Sequence, residues 1–484
     1  MAQDDYTIES LDRSGPDHTR RAPPELLSAI FSIVCSDPIT ASKSMTQKFA
    51  LAAVCRRWHQ LIWSFPQLWS KFVAVPRSCD AGVVHLLKLH LENVGEIPIS
   101  VLLGFQFDRR MESDGDLEIY NTILQLIFSQ YSTRIGSLGI RIIDKSIWES
   151  IYIYSRHSSF PKLQSLDLEF RYDVLSLRSE LRLWYSLFPN LRSLHLAGNA
   201  FFPAFFSSTN LTELGLISIH PDDAIYTLAL FPSLTSFAIF SGLGSHRIPE
   251  VIPTLGISDG VILPNLRRFT WRVASAQTDT SLIKHIHIPT LNHLEWTWGS
   301  ESGENWRCWE QFFRNIGRIN GSIELSLGVH LGPLMAKLLK LFSCQRIRRL
   351  KICVRKLKNL DGCLPYLTYS PTTSQASFLG LESLEISLQE MINQVHIFPF
   401  LRFIAAILQS RRSPNLATSH IPLSALRIIC HGVQLFPRTP NLLDIEKELH
   451  FLRDLKKPED DFGKQLEDLM YGGERSESVK ERLR

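Results

Sequence analysis

A unit of the form Pro-x-Leu-x-x-Leu-x-Leu returns along this chain, and a sequence that repeats itself in this way is confined to stacked architectures. The copies are FPKLQSLDLEF from Phe160, FPNLRSLHLAG from Phe188, STNLTELGLIS from Ser208, FPSLTSFAIFS from Phe231, LPNLRRFTWRV from Leu263, IPTLNHLEWTW from Ile288, CQRIRRLKICV from Cys344, FLGLESLEISL from Phe378 and HIPLSALRIIC from His420. Fainter copies are HLLKLHL near His85 and STRIGSLGIRI from Ser132. In each, the first leucine seats a turn, the next two alternate as the inward residues of a short strand, and the segment that follows crosses back so that neighbouring strands stack in parallel. SELRLWYSLF from Ser179 and LMAKLLKLFS from Leu334 have helical spacing and are read as crossovers. Wider gaps at Gly242 to Gly260, Gly299 to Gly321 and Asp361 to Ser377 are read as projecting loops.

The N-terminal stretch has a different texture. Pro23 and Pro24 suit the opening of a helix, whose first N–H groups have no internal partner, and Leu26, Leu27, Ile30, Phe31, Ile33 and Val34 follow at helical spacing. Ser44 and Gln47 read as a capping box for a second short helix through Phe49, Leu51, Ala52, Ala53 and Val54. Val54, Trp58, Leu61, Ile62 and Phe65 predict a third, ended by Pro66. The first helix carries two adjacent apolar rows, Leu26, Ile30 and Ile33 beside Leu27, Phe31 and Val34. That stripe is wider than two short partner helices cover, so part of it is expected to meet another protein.

The pattern Pro24-Glu25-Leu26-Leu27, Ile30-Phe31, Val54-Cys55-Arg56-Arg57-Trp58 and Leu68-Trp69 resembles an F-box, in the form common in fungal F-box proteins with leucine-rich repeats; the motif covers about a tenth of the chain. The resemblance implies a helical module docked on the Skp-type adaptor of a cullin-RING ubiquitin ligase, with the repeats holding a protein substrate. The adaptor-binding residues it implies are Pro24, Leu26, Leu27, Ile30, Phe31, Val54 and Trp58. The sequence departs from the family at Ala22, where leucine is usual, and in a longer, more polar segment from Cys35 to Lys48. The expected fold is α/β: a tail over 1–20, a three-helix F-box over 21–75, an irregular leucine-rich-repeat solenoid with parallel strands over 76–440, and a charged cap helix and tail over 441–484.

Composition narrows the function. With 52 Lys and Arg against 48 Asp and Glu, the formal charge of +4 gives no general affinity for nucleic acid or an anionic membrane. The start, MAQDDYTIESLDRSGPD, is acidic rather than basic then apolar, and no run is long enough to span a bilayer. The 8 cysteines form no CxxC pair, which suits reduced thiols in cytoplasm or nucleus. Asn210-Leu-Thr and Asn320-Gly-Ser are read as chance sequons.

No catalytic, cofactor-binding or metal-ligating set emerges. Gly256-Ile-Ser258-Asp-Gly260 spells GxSxG, but Pro253 and Pro264 surround it with loop where a nucleophile elbow needs a strand and a helix. His285, His287 and His293 lack a cysteine or carboxylate to complete a metal set. What remains is surface. The residues between the inward leucines point outward, and Asp167, Glu169, Arg268, Arg272, Arg349, Lys351 and Arg355 are the substrate-binding candidates, acid before base. Trp296, Trp298, Trp306 and Trp309 lie beside one gap; Trp296 and Trp298 fall at inward positions and are read as core. The leading expectation is a non-catalytic substrate receptor of a Skp-cullin-F-box ligase, partnered by the adaptor and a protein target. The alternative is a scaffold of the same build without a ligase role; the run RIRRLKICVRKLK alone suggests nucleic acid.

Overall fold

The computed structural model describes residues 22–35, 41–74, 81–104, 114–143, 145–156, 158–170, 187–198, 210–219, 221–241, 260–273, 281–298, 306–316, 321–327, 332–342, 347–354, 360, 362–368, 378, 380–388, 392–393, 400, 402–407, 410, 425–430 and 433–434. The expected tail over 1–20, the cap helix over 441–484, Ser258, Arg355 and most of the crossover from Ser179 lie outside them. The chain divides into two compact units, Met1–Leu163 and Gln164–Arg484, so the division falls inside the span that the repeats assign to one solenoid. Within each unit strands pair in parallel and in chain order, three in the first and ten in the second.

The first unit opens with three helices, α1 (Pro24–Cys35), α2 (Ala41–Ala52) and α3 (Arg56–Ser64). In α1, Leu27 and Phe31 stand one turn apart and are buried. Helix α2 begins at Ala41, three residues before Ser44, so Ser44 is an internal residue and the expected capping box is not its start. Cys55, extended, precedes α3, which therefore starts later than the apolar spacing from Val54 implies; it ends ahead of Phe65, which is pushed to extended geometry by Pro66. A 3-10 turn, Pro66–Trp69, then buries Leu68 and Trp69.

The rest of this unit alternates strand and helix: β1 (Lys71–Ala74), α4 (Ala81–Asn93), β2 (Ile99–Gly104), α5 (Asp114–Gln125), β3 (Ile135–Ile143) and α6 (Lys145–Ser155). The faint copy at Ser132 is β3, but the one at His85 lies within α4 and is no strand: Leu87, His90, Leu91 and Val94 are buried at three- and four-residue spacing, a helix stripe.

The second unit contains β4 (Ser165–Phe170), β5 (Ser193–Ala197), β6 (Glu213–Ile217), α7 (Pro221–Leu230), β7 (Ser236–Ser241), β8 (Val261–Ile262), β9 (Arg268–Val273), β10 (Ile286–His287), β11 (His293–Trp298), α8 (Trp306–Asn315), β12 (Ser322–Leu327), α9 (Gly332–Phe342), β13 (Arg349–Val354), α10 (Leu364–Leu367), β14 (Ser383–Leu388), β15 (Ile392–Asn393), β16 (Ala425–Cys430) and β17 (Val433–Gln434). Strands β8 and β10 pair with each other, as do β15 and β17; the other ten form the parallel array. All nine full copies of the repeat carry a strand of this array.

The register explains why the leucines recur. Leu166, Leu194, Leu214, Phe237, Phe269, Leu294, Ile323, Leu350, Leu384 and Leu426 are aligned in one row and all are buried. Two residues later, Leu168, Leu196, Leu216, Ile239, Trp271, Trp296, Ile352 and Ile386 are buried too, the period of two that a strand requires. The leucines of the turns, Leu163, Leu191, Leu211, Leu234, Leu266, Leu291 and Leu381, are equally inaccessible. A polar residue just before the turn leucine ties one turn to the previous one in several repeats: Asn210 Nδ2 donates to Pro189 O at 3.3 Å, Ser233 Oγ to Leu211 O at 2.9 Å and Thr290 Oγ1 to Pro264 O at 2.6 Å. These bonds satisfy carbonyls that no strand ladder reaches.

Two expected loops contain helices. The gap from Gly299 to Gly321 holds α8, whose Trp309, Phe312 and Phe313 are core residues while Arg307, Gln311 and Arg314 face solvent. The gap from Asp361 holds the short α10. The crossover read from Leu334 is α9.

Candidate functional site

Two surfaces stand out, one in each unit. In the first unit the two apolar rows of α1 have opposite fates. Leu27 and Phe31 face inward, where the Phe31 ring meets Trp58 edge-on with centroids 4.9 Å apart. Leu26, Ile30 and Ile33 are 54%, 44% and 76% exposed, and Val34 joins them at the surface. Pro24 and Val54 are also exposed, and Trp58 is half-buried. Of the residues that the resemblance implies for the adaptor, Leu27 and Phe31 are thus occupied in this chain's own core, while Pro24, Leu26, Ile30 and Val54 remain available. Arg57 Nη2 donates to Ala22 O at 2.5 Å, fixing the entry to α1 from α3.

Behind this face lies a nest that sequence reasoning missed. Trp69 is fully buried, with its Nε1 donating to Ile62 O at 2.9 Å. Trp63 stacks on it at 4.8 Å, His90 meets it edge-on at 5.1 Å, and Lys48 Nζ sits 5.5 Å from the centre of its ring. Lys48 is itself buried, and burial lowers its ammonium to about 8, the nearby Cys35 thiol opposing the shift. His90 Nδ1 donates to Trp69 O at 2.9 Å, because the carbonyl can only accept. Burial first, and the Lys48 charge second, push His90 down to about 3. No short motif marks these positions; they are separated by up to 42 residues and meet only through the fold.

In the second unit the outward residues of the sheet fall into three rows. The middle row runs Asp167, His195, Gly215, Ala238, Thr270, Glu295, Glu324, Lys351, Glu385 and Arg427. At Gly215 a side chain would collide with the His195 imidazole, which lies across that position. Glu169 and Arg272 fall in the row after the middle one, and Arg268 and Arg349 in the row before it. Asp167 and Glu169 are half-buried on β4, whereas Arg268, Arg272 and Arg349 are exposed.

The later half of the middle row is an ion-pair ladder. Arg272 pairs with Glu295, Lys351 Nζ reaches Glu324 Oε1 at 2.8 Å and Glu385 Oε1 at 3.5 Å, and Arg427 Nη1 reaches Glu385 Oε2 at 3.5 Å. The hydrogen bond to Glu324 holds the Lys351 ammonium above the usual lysine range. Glu295 engages Arg272, and Glu324 and Glu385, absent from the sequence-derived candidates, make Lys351 a partner of its own sheet; the signal was the charge alternation within ladder register, visible only once β12 is aligned with β13. Replacing Lys351 by Met is expected to cost about 1 kcal/mol, the scale of partly exposed pairs, by leaving two carboxylates on strands either side of an apolar residue. Urea titrations at low salt and at 1 M NaCl check this: the deficit should shrink at high salt, where screening acts within about 3 Å.

Trp296 and Trp309 are core: both are buried and their rings lie 5.2 Å apart. His293 Nδ1 is 2.6 Å from Ser322 Oγ, and no group of metal-binding side chains occurs among the described residues. No described helix is long and apolar enough to cross a membrane. No family model matches the chain, and no curated protein matches it.

Proposed function

We propose that the chain is a substrate receptor of a Skp-cullin-F-box ubiquitin ligase, working in cytoplasm or nucleus. In this reading α1 to α3 form an F-box that docks the Skp-type adaptor, and the parallel-stranded region is a leucine-rich-repeat domain that captures the target. The observation that supports it best is the exposure of Leu26, Ile30 and Ile33 on one face of α1 while Leu27 and Phe31 secure the helix from behind. Burying a large apolar side chain contributes roughly 1.5 to 3 kcal/mol, so three half-exposed ones supply a large share of a stable interface. The chain's contribution to ubiquitin transfer is proximity: it holds the target near the charged enzyme and does no chemistry itself.

The test is a pull-down with the purified Skp-type adaptor. The intact chain is expected to bind, and a Leu26→Glu, Ile30→Glu, Ile33→Glu variant to bind at least about 100-fold more weakly, the equivalent of about 2.7 kcal/mol. These positions face solvent, so the variant should keep its circular dichroism and its unfolding midpoint. Undiminished adaptor binding by the variant would mean that the exposed row of α1 is not the docking face, and no binding by the intact chain would leave a repeat scaffold without a ligase role as the better description.

A further inference from the structure

The row of the sheet where the strands begin reads Ser236, Arg268, His293, Ser322, Arg349, Ser383 and Ala425 from β7 to β16, by the same register that aligns the ladder. Over these strands it contains no carboxylate; the next residue of the row, on β6, is Glu213. Across the outward positions of β9 to β16, five cations (Arg268, Arg272, Arg349, Lys351 and Arg427) face three carboxylates (Glu295, Glu324 and Glu385). Those carboxylates are already engaged by Arg272, Lys351 and Arg427. The surplus charge therefore belongs to Arg268 and Arg349, which are exposed and paired with no carboxylate among the described residues.

Between the two arginines stand His293 and Ser322, bonded to each other at 2.6 Å. Burial, and then the Arg268 charge, lower His293, so the imidazole is neutral at neutral pH and adds hydrogen bonding without charge. Arg268 and Arg349 are three strand steps apart, or about 14 Å at about 4.8 Å per step. In an extended peptide, side chains four residues apart on one face are also separated by about 13 to 14 Å.

We infer that this row binds an extended acidic segment of a partner protein, laid across the strands, with carboxylate or phosphate groups at positions i and i+4 seated on Arg268 and Arg349. The inference rests on the reading of the sheet region as the target-capturing part and gives that target a chemical class. Neutral Ser and His between the anchors favour polar residues, not further acids, at the intervening positions. Arginine suits such contacts because its planar fork meets an oxyanion through two hydrogen bonds.

The test is fluorescence anisotropy of labelled twelve-residue Gly/Ser peptides with the full chain at low ionic strength. One carries Glu at i and i+4, one Glu at i and i+2, and one Lys at i and i+4; a labelled single-stranded oligonucleotide of the same length is the fourth probe. The i,i+4 diglutamate peptide is expected to bind about 10-fold tighter than the i,i+2 peptide, and the lysine peptide not at all. An Arg268→Gln, Arg349→Gln variant should lose that binding, and Arg268→Lys, Arg349→Lys should recover part of it. No binding of the i,i+4 peptide, binding without a spacing preference, binding unchanged in the Gln variant, or selective retention of the oligonucleotide would each overturn the proposal. The adaptor pull-down keeps the two readings apart when it is read on the unaltered chain: adaptor binding without peptide binding by that chain sinks only the acidic segment, and the converse sinks only the ligase role, while the Gln variant, whose α1 face is untouched, should bind the adaptor as the parent does.

Discussion

Trp309→Ala is expected to destabilise the second unit by about 3 to 5 kcal/mol, the range for emptying a large aromatic site in a packed core. Trp309 meets Trp271 edge-on at 5.2 Å and Trp296 at the same distance, and its own helix adds Phe312 at 5.6 Å and Phe313 at 5.7 Å. It is 3% exposed, so truncation opens a cavity between α8 and the sheet that rigid tryptophans on β9 and β11 cannot collapse to fill. Urea unfolding followed by circular dichroism measures the loss, and Trp309→Phe should cost less than half as much because a ring remains. A loss below about 1 kcal/mol would mean that α8 is a loosely attached loop, as the glycine-bounded gap in the sequence implies, and not part of the core.

That helix marks where sequence legibility ended. The strands were readable because an inward apolar residue at every second position and a seated one in the turn are local patterns, and nine of the ten strands in the second unit repeat them in register. The exception is β12: in the sequence Asn320, not a leucine, stands three residues before Ile323, and Gly321 follows it, so nothing announces the alternation of Ile323, Leu325 and Leu327. The α8 stripe was hidden between Gly299 and Gly321, where the eye takes flanking glycines for loop, although Trp309, Phe312, Phe313 and Ile316 have helical spacing. At the HLLKLHL copy the opposite error arose. Leucines at Leu86, Leu87, Leu89 and Leu91 satisfy a strand template and a helix template alike, and length decides for the helix.

The surfaces were half legible for a related reason. That α1 has too much apolar surface follows from its sequence, but which row is spent on the core depends on where Trp58 comes to rest. On the sheet, the outward charges could be named one by one; their neutralisation could not, because Glu324 pairs with a lysine 27 residues away and Glu385 with the same lysine from the other side. Removing paired charges from the candidate surface is what isolates Arg268 and Arg349.

Acid is expected to weaken the first unit steeply, and His90 is the cause. In the folded chain the imidazole is driven to about 3, chiefly by burial, while an unfolded histidine takes its proton near 6.5. Between those values the unfolded state binds the extra proton and the folded state does not, so stability rises with pH across that window. The contribution is complete above about pH 6.5 and is lost as pH falls toward 3. At about 1.4 kcal/mol per unit, the full span amounts to roughly 4 to 5 kcal/mol. Lys48, positively charged throughout that window, deepens the effect because a second cation beside it gains no counterion. Urea midpoints at pH 7, 5 and 4, read by the fluorescence of the stacked Trp63 and Trp69, should fall progressively. His90→Gln, which can still donate to the Trp69 carbonyl, should be less stable than the parent at pH 7 through lost ring packing against Trp69 and Phe72, yet lose less on acidification by about one proton's worth of slope. Parallel pH profiles for the two proteins would show that His90 is not what makes the nest acid-sensitive, and would shift the cause to the carboxylates that titrate in the same range.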